Sequence, residues 1–482
     1  MKRLALTLFA AVAVVFGTLG VADAATTTWG NAQAVPGLGA LGSNGSADAG
    51  LILCPSNGVC SVLGSFSISL GGRQGFNANY LEGVWADASE IDGLASLNTG
   101  GFVNIQKGTC APDNYCAVVG TYSSGISEQQ GFVLTSDGTP AIPIPGLIAL
   151  NTGDTANTKG VACSSTGNCT IVGTYSDGVS ILPFIADQVG GVWQNAVTVG
   201  VPGALDSVSC SSDGECVAAG ALVVGVQLVP VAIIRSGGTW GTPTNIPGVA
   251  SIGSGEGSIT DVACPATGTC FAIGTYTNGP GSSSIFVTSL SSGTWSNATQ
   301  LPGYASLDTQ GYPGVTGLSC WSATNCLGVG EYSDVIGGHT WTAEVVGGTW
   351  ASATELPGFS ALSSNGTSHT TSMSCASDGM CAIVGNYVDG AAYEGFVAMR
   401  DPNGTNGTIA DAIAIPGLAA LNVGGYGDPK SVSCTVGWCG ISGFFAGDAH
   451  YQPFVATFSF TPDQEPTTTT TADQSVAPAF AG

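Results

Sequence analysis

Sixteen cysteines constrain this 482-residue chain more than anything else in it, because they fall into eight local pairs: Cys54 with Cys60, Cys110 with Cys116, Cys163 with Cys169, Cys210 with Cys216, Cys264 with Cys270, Cys320 with Cys326, Cys375 with Cys381, and Cys434 with Cys439. Seven pairs enclose five residues and the last encloses four. Successive pairs begin 56, 53, 47, 54, 56, 55 and 59 residues apart. Such a period means one supersecondary unit stacked on copies of itself, and it outranks any local motif.

Every pair stands in the same setting, as in Ser207-Val208-Ser209-Cys210 followed by Cys216-Val217-Ala218-Ala219-Gly220. Between the cysteines, Asn57-Gly58, Gly167-Asn168, Asp213-Gly214 and Asp378-Gly379 supply backbone that tolerates positive φ. A tight hairpin is predicted, with its two cysteines facing each other across the strands. Four residues after each second cysteine comes a glycine: Gly64, Gly120, Gly173, Gly220, Gly274, Gly330, Gly385 and Gly443. Two residues further stands an aromatic, Phe66, Tyr122, Tyr175, Tyr276, Tyr332, Tyr387 or Phe445, with Leu222 the exception. A third apolar strand follows, carrying Phe132, Phe184, Phe286, Phe396 or Phe454. A fourth opens at Trp85, Trp193, Trp240, Trp295 or Trp350 and closes on a Pro-Gly turn. Four short strands in about 54 residues make a propeller blade. No stretch past the leader has helical periodicity free of Gly or Pro, so helices are not expected.

The two ends complement each other. Trp29 to Gly37 reads as a fourth strand without the three that should precede it, while the eighth unit stops after its third strand at Phe458. The expectation is an all-β fold, a single eight-bladed β-propeller over residues 25–460. It is closed by the N-terminal strand completing the last blade, which removes exposed sheet edges. Residues 1–24 pair Lys2-Arg3 with an apolar run and the small-residue site Ala22-Asp23-Ala24, and read as a signal peptide. Residues 461–482, with five threonines from Thr467 to Thr471, read as a disordered tail. No later run has the eighteen apolar residues of a membrane span. In an exported chain, an even number of regularly spaced cysteines indicates structural disulfides, not zinc or redox sites.

The unit Ser-Val-Ser-Cys, five residues, Cys-x-x-x-Gly-x-Tyr, then an apolar strand and Gly-Thr-Trp, resembles the secreted propeller repeats of high-GC Gram-positive bacteria over residues 29–460. The resemblance implies fold and export and little chemistry. Asp213-Gly214 and Asp378-Gly379 also resemble the Asp-box of sialidase-like propellers, although the tryptophan that closes that box is missing.

With 32 acidic against 8 basic residues the formal net charge is −24, and no basic patch exists for nucleic acid. The three histidines, His339, His369 and His450, read as scattered surface residues away from the repeated acids. Nucleophile-elbow, zinc-helix and phosphate-loop motifs are absent. Asp177, Asp334 and Asp389, with Asn278, recur after the second strand. They read as turn formers in preference to calcium ligands, so no cofactor is expected beyond a weak calcium alternative. The repeated tyrosine is assigned to packing between blades. The off-pattern tryptophans Trp321, Trp341 and Trp438 are expected to be exposed and are the candidate binding residues.

The functional expectation is a secreted or cell-surface monomer, without catalytic residues, whose propeller-face loops bind a glycan, a wall polymer or a surface protein. The alternative is a glycan hydrolase or lyase with a site assembled from several blades. Two carboxylates meeting a tyrosine or arginine at the mouth of the central channel would mark it.

Overall fold

The paired cysteines lie across the mouth of the first hairpin of each repeat, with Cα atoms 3.9–4.2 Å apart, and all eight pairs are disulfide-bonded as expected. The bonds join Cys54 to Cys60, Cys110 to Cys116, Cys163 to Cys169 and Cys210 to Cys216 in the first four repeats. In the last four they join Cys264 to Cys270, Cys320 to Cys326, Cys375 to Cys381 and Cys434 to Cys439. In five pairs the two members differ in setting. Cys60, Cys116, Cys169, Cys216, Cys270, Cys326, Cys381 and Cys439, on the second strand, are all buried, whereas Cys110, Cys210, Cys320, Cys375 and Cys434, on the first, are only half-buried.

The computed structural model describes residues 26–41, 45–68, 71–212, 214–363, 366–401 and 409–461. The expected leader, the tail beyond Thr461, and Asp213 lie outside the described residues. Each repeat is one antiparallel sheet, and eight sheets stand around a central channel.

Blade 3 shows the plan: strands Ala156–Ser165, Asn168–Ser176 and Ile181–Val189 run in order, then two dipeptides, Val192–Trp193 and Val197–Thr198, pair separately with the third strand. The first strand is innermost, and in all eight blades its register shifts just ahead of the cysteine, as between Ile105 and Lys107 in blade 2. Such a bulge bends the strand and re-aims its side chains.

The invariant glycine follows from the packing of the second strand. Gly120 faces Phe132 of the third strand. A Cβ there would lie 2.3 Å from the Asn104 carbonyl oxygen and 2.7 Å from the Phe132 ring, so only glycine fits. The same register pairs Gly64 with Phe76, Gly173 with Phe184, Gly274 with Phe286, Gly385 with Phe396 and Gly443 with Phe454. All six phenylalanines are fully buried. The aromatic two residues after the glycine is buried as well, with no member of the set more than 5% exposed, so the packing assignment holds.

Helices are present where none was expected. Among the described residues six single-turn α-helices, such as Leu147–Leu150 and Tyr304–Leu307, follow the turn at the end of a fourth strand. Each is entered through a glycine at φ of 74–103° and buries its first side chain. Four residues are too short to show a helical period, which is why the pattern hid them.

Two belts join the blades. At the channel the serine before the cysteine accepts from the cysteine N–H of the next blade: Ser209 from Cys264 at 2.9 Å, Ser319 from Cys375 at 3.2 Å, Ser374 from Cys434 at 3.0 Å and Ser433 from Cys54 at 2.9 Å. That is the physical content of the Ser-x-Ser-Cys repeat. Further out, the turn proline's carbonyl accepts from an alanine N–H of the following blade, as Pro302 does from Ala353 at 2.7 Å. The ring closes as expected. Thr26–Trp29 pairs with the third strand of blade 8, Tyr451–Thr461, with Trp29 and Phe458 rings 4.6 Å apart, and Ala32 N–H donates to Pro416 in the outer belt. Among the described residues no helix is long and apolar enough to cross a membrane.

Candidate functional site

Because the strands alternate in direction, the two faces of the ring differ. One carries the disulfide turns and the turns between third and fourth strands. The other, the loop face, carries the loops between second and third strands and the single-turn helices.

The three tryptophans singled out from the sequence are not brought together. Trp341 is fully buried, contrary to its expected exposure. It occupies the third-strand phenylalanine position of blade 6, opposite Gly330, and its indole N–H donates to the carbonyls of Gly314 and Glu331, each at 3.1 Å. Trp321 and Trp438 lie on the disulfide face, both half-buried and also not exposed as expected. The Arg400 guanidinium covers the Trp321 ring at 4.2 Å, and Trp438 stacks on Tyr80 of blade 1 at 5.8 Å.

The arginines of the body are likewise engaged by protein groups. Arg400 binds Glu344 of the preceding blade at 2.7 Å and the carbonyl of Gly379 at 2.8 Å. Arg235, three blades earlier, donates to the Gly214 carbonyl at 3.1 Å and lies 3.6 Å from Asp187 of the preceding blade. Gly214 and Gly379 thus each hold an arginine through the backbone carbonyl. Arg73 pairs with Asp48 and Ser65 on the loop face.

Two of the recurrent acids, Asp177 and Asp334, behave as turn residues. Asp177 accepts from the N–H groups of Val179 and Ser180 at 2.9 and 2.7 Å, and these bonds hold its carboxyl below the usual range. Asp334 accepts from Ile336 at 2.7 Å and Gly337 at 3.1 Å. No group of three or more metal-ligating side chains occurs among the described residues. One histidine departs from expectation. His339 is buried, stacked on Tyr332 at 5.1 Å, with Nε2 3.1 Å from Asp334, one of the repeated acids.

What the fold does assemble lies on the loop face between blades 6 and 8. There the inner strands Gly314–Ser322, Ser368–Cys375 and Gly427–Thr435 begin, at the mouth of the channel. A recess of about 420 Å³ is lined by Glu331, His369, Thr371 and Lys430. Glu331 takes the His369 imidazole and the Thr370 N–H, the latter at 3.0 Å. Lys430 lies 2.5 Å from Asp428, which is buried and also accepts from Asn386 at 3.0 Å. Beside the recess stands a wall of four aromatic rings. Tyr426 stacks on Phe444 at 5.9 Å and meets Tyr393 at 5.3 Å, Tyr451 packs edge-on to Phe444 at 5.3 Å, and Lys430 Nζ sits 5.3 Å over the Phe444 ring. Tyr393 and Tyr451 are 44% and 45% exposed, so the wall offers ring surface to solvent. Of these residues only His369 was named from the sequence, as a scattered surface histidine and not as part of a site. Their signal was there: Tyr393, Tyr426, Phe444 and Tyr451 all stand at loop-face strand ends of repeats seven and eight.

The hydrogen bond from His369 to Glu331, against partial burial, raises the imidazole above its ordinary range. The sign follows from that direction: the contact is fully formed below the unfolded histidine's midpoint and is lost as pH rises through the higher folded one. In an NMR titration His369 should therefore show a midpoint above the ordinary histidine value of about 6.5, and Glu331→Gln should bring it back down. An ordinary midpoint in the parent protein would contradict the contact.

No protein-family model and no curated protein matches the chain. Among solved structures it is similar to a protein of unknown function from Dyadobacter fermentans, at 8% identity and a TM-score of 0.41, covering 90% of this chain and 99% of that one. A PL25 ulvan lyase matches at 9% identity and 0.41, over 86% of this chain and 94% of that one. A neuraminidase-like protein of subtype N11, of flat-faced bat origin, matches at 13% identity and 0.34, over 64% of this chain and 89% of that one. At such identities and scores the matches carry no argument about chemistry.

Proposed function

We propose that this is a secreted or cell-surface recognition protein that binds carbohydrate at the aromatic wall of blades 7 and 8, with the polar recess beside it fixing orientation. The observation that carries the reading is the set of four contiguous rings, two of them well exposed, next to hydrogen-bonding groups at the channel mouth. Ring faces pack on the apolar face of a sugar, while polar neighbours reach its hydroxyls. The eight disulfides support an oxidising, extracytoplasmic setting.

Glu331, Asp428 and Tyr426 do gather where a glycan-cleaving enzyme would need them, but binding is the better supported reading. Both carboxylates are already engaged, Glu331 by His369 and Thr370, Asp428 by Lys430 and Asn386.

Retention on a panel of insoluble polysaccharides and cell envelopes tests the proposal. Tyr393→Ala with Tyr451→Ala should weaken retention about tenfold or more, a loss near 1.4 kcal/mol, with the melting temperature little changed. Trp321→Ala should leave retention intact. Retention indifferent to both tyrosines, or none on any polymer, would reject the reading.

A further inference from the structure

All three lysines of the body, Lys107, Lys159 and Lys430, stand three or four residues ahead of the first cysteine of their repeats. This is the bulged stretch of the innermost strand, so a chain of net charge −24 gathers its lysine charge around one central channel and leaves none for its outer surface. The channel cavity measures about 710 Å³ and is lined by Lys107, Lys430, Gln106, Thr371, Ser372 and Ser374 among others.

The lysines differ in their company. Lys159 lies 3.7 Å from Asp206 and Lys430 2.5 Å from Asp428. Among the described residues Lys107 has no carboxylate within salt-bridge distance, only the more distant charge of Asp261. Asp261 is itself occupied, accepting from Ser207 at 2.6 Å, Val262 at 2.9 Å and Leu318 at 2.8 Å. Lys107 is also exposed to the channel. Nearby, Ser372 and Ser374 accept the N–H groups of Val432 and Cys434, and each hydroxyl keeps its own proton to donate. A narrow cleft with low-dielectric walls focuses the potential of the charges that line it.

We infer that the channel binds a compact oxyanion, a carboxylate or a sulfate, with Lys107 as its principal contact and Lys430 and the serine hydroxyls as further donors. Because two of the three lysines are already paired, the site suits one or two negative charges and not a polyanion. The inference does not depend on the aromatic wall, of which Lys107 is no part.

Calorimetric titration of the full protein at pH 5 and low salt, with sodium sulfate in one series and galacturonate in the other, tests it. Saturable binding on the order of millimolar is expected. It should weaken at least about tenfold in Lys107→Met, persist in Lys107→Arg, and be unaffected by Tyr451→Ala, with melting curves confirming that each variant is folded. Binding of both anions supports recognition of the oxyanion alone, and binding of galacturonate only supports a sugar-borne carboxylate. Absence of saturable binding by either, or binding unchanged in Lys107→Met, overturns the inference.

Discussion

Complete reduction of the eight disulfides is expected to unfold the protein at ambient temperature. Each bond closes a short loop, with its cysteines five or six positions apart, so chain entropy assigns it about 2 kcal/mol. Eight such contributions, even if far from additive, rival the roughly 5–15 kcal/mol by which folded domains exceed their unfolded states. The dependence is greater here because the blades are built from many glycines and small residues. Circular dichroism melts with and without a phosphine reductant, with free thiols counted by mass after alkylation, make the comparison. An unchanged melt in a sample shown to be fully reduced would mean that the belts between blades suffice without the bonds.

The second large effect concerns a single methyl group. Gly385→Ala would place a Cβ 2.0 Å from the His369 carbonyl oxygen and 2.8 Å from the Phe396 ring. The ring can tilt, but the carbonyl is pinned by strand pairing, so the substitution forces the first and second strands of blade 7 apart. Overpacking of well-ordered interiors costs about 1–3 kcal/mol and sometimes more, and the upper end is expected here. Gly279→Ala is the matched control, since its Cβ would meet nothing within 4 Å and the change should stay within about 0.5 kcal/mol. Urea unfolding distinguishes the two, and equal stabilities would refute the steric account of the repeated glycine.

The ring was legible in the sequence because its determinants repeat. Cysteine spacing set the period, the glycine marked the second strand, and the unmatched strand at each end required closure. Trp341 escaped because its repeat has Thr-Trp-Thr where repeats two, three, five, seven and eight have Gly, Pro or Ile before a phenylalanine and Val or Ile after it, and only the register against Gly330 reveals it as the blade's core aromatic. His339 was misplaced for a related reason, since burial on the third strand is decided by the neighbouring sheet. The candidate site was opaque because it is drawn from three blades, with Glu331 and Lys430 about a hundred positions apart. The lysines were the exception: their offset from the cysteines was readable, and only the convergence of the inner strands gave it meaning.

The pairing of Thr26–Trp29 with residues 458–461 also dictates an order of events. Hairpins within a blade join residues a few positions apart and can form as soon as their own segment is available. The clasp joins the two extremes of the body, the least local contact among the described residues, and it has no partner until the eighth blade exists. Contacts of that separation are the slow ones in folding. Blades come first and the clasp last, so a circularly permuted chain opened between two other blades would move this slow step to a new seam without changing the finished ring.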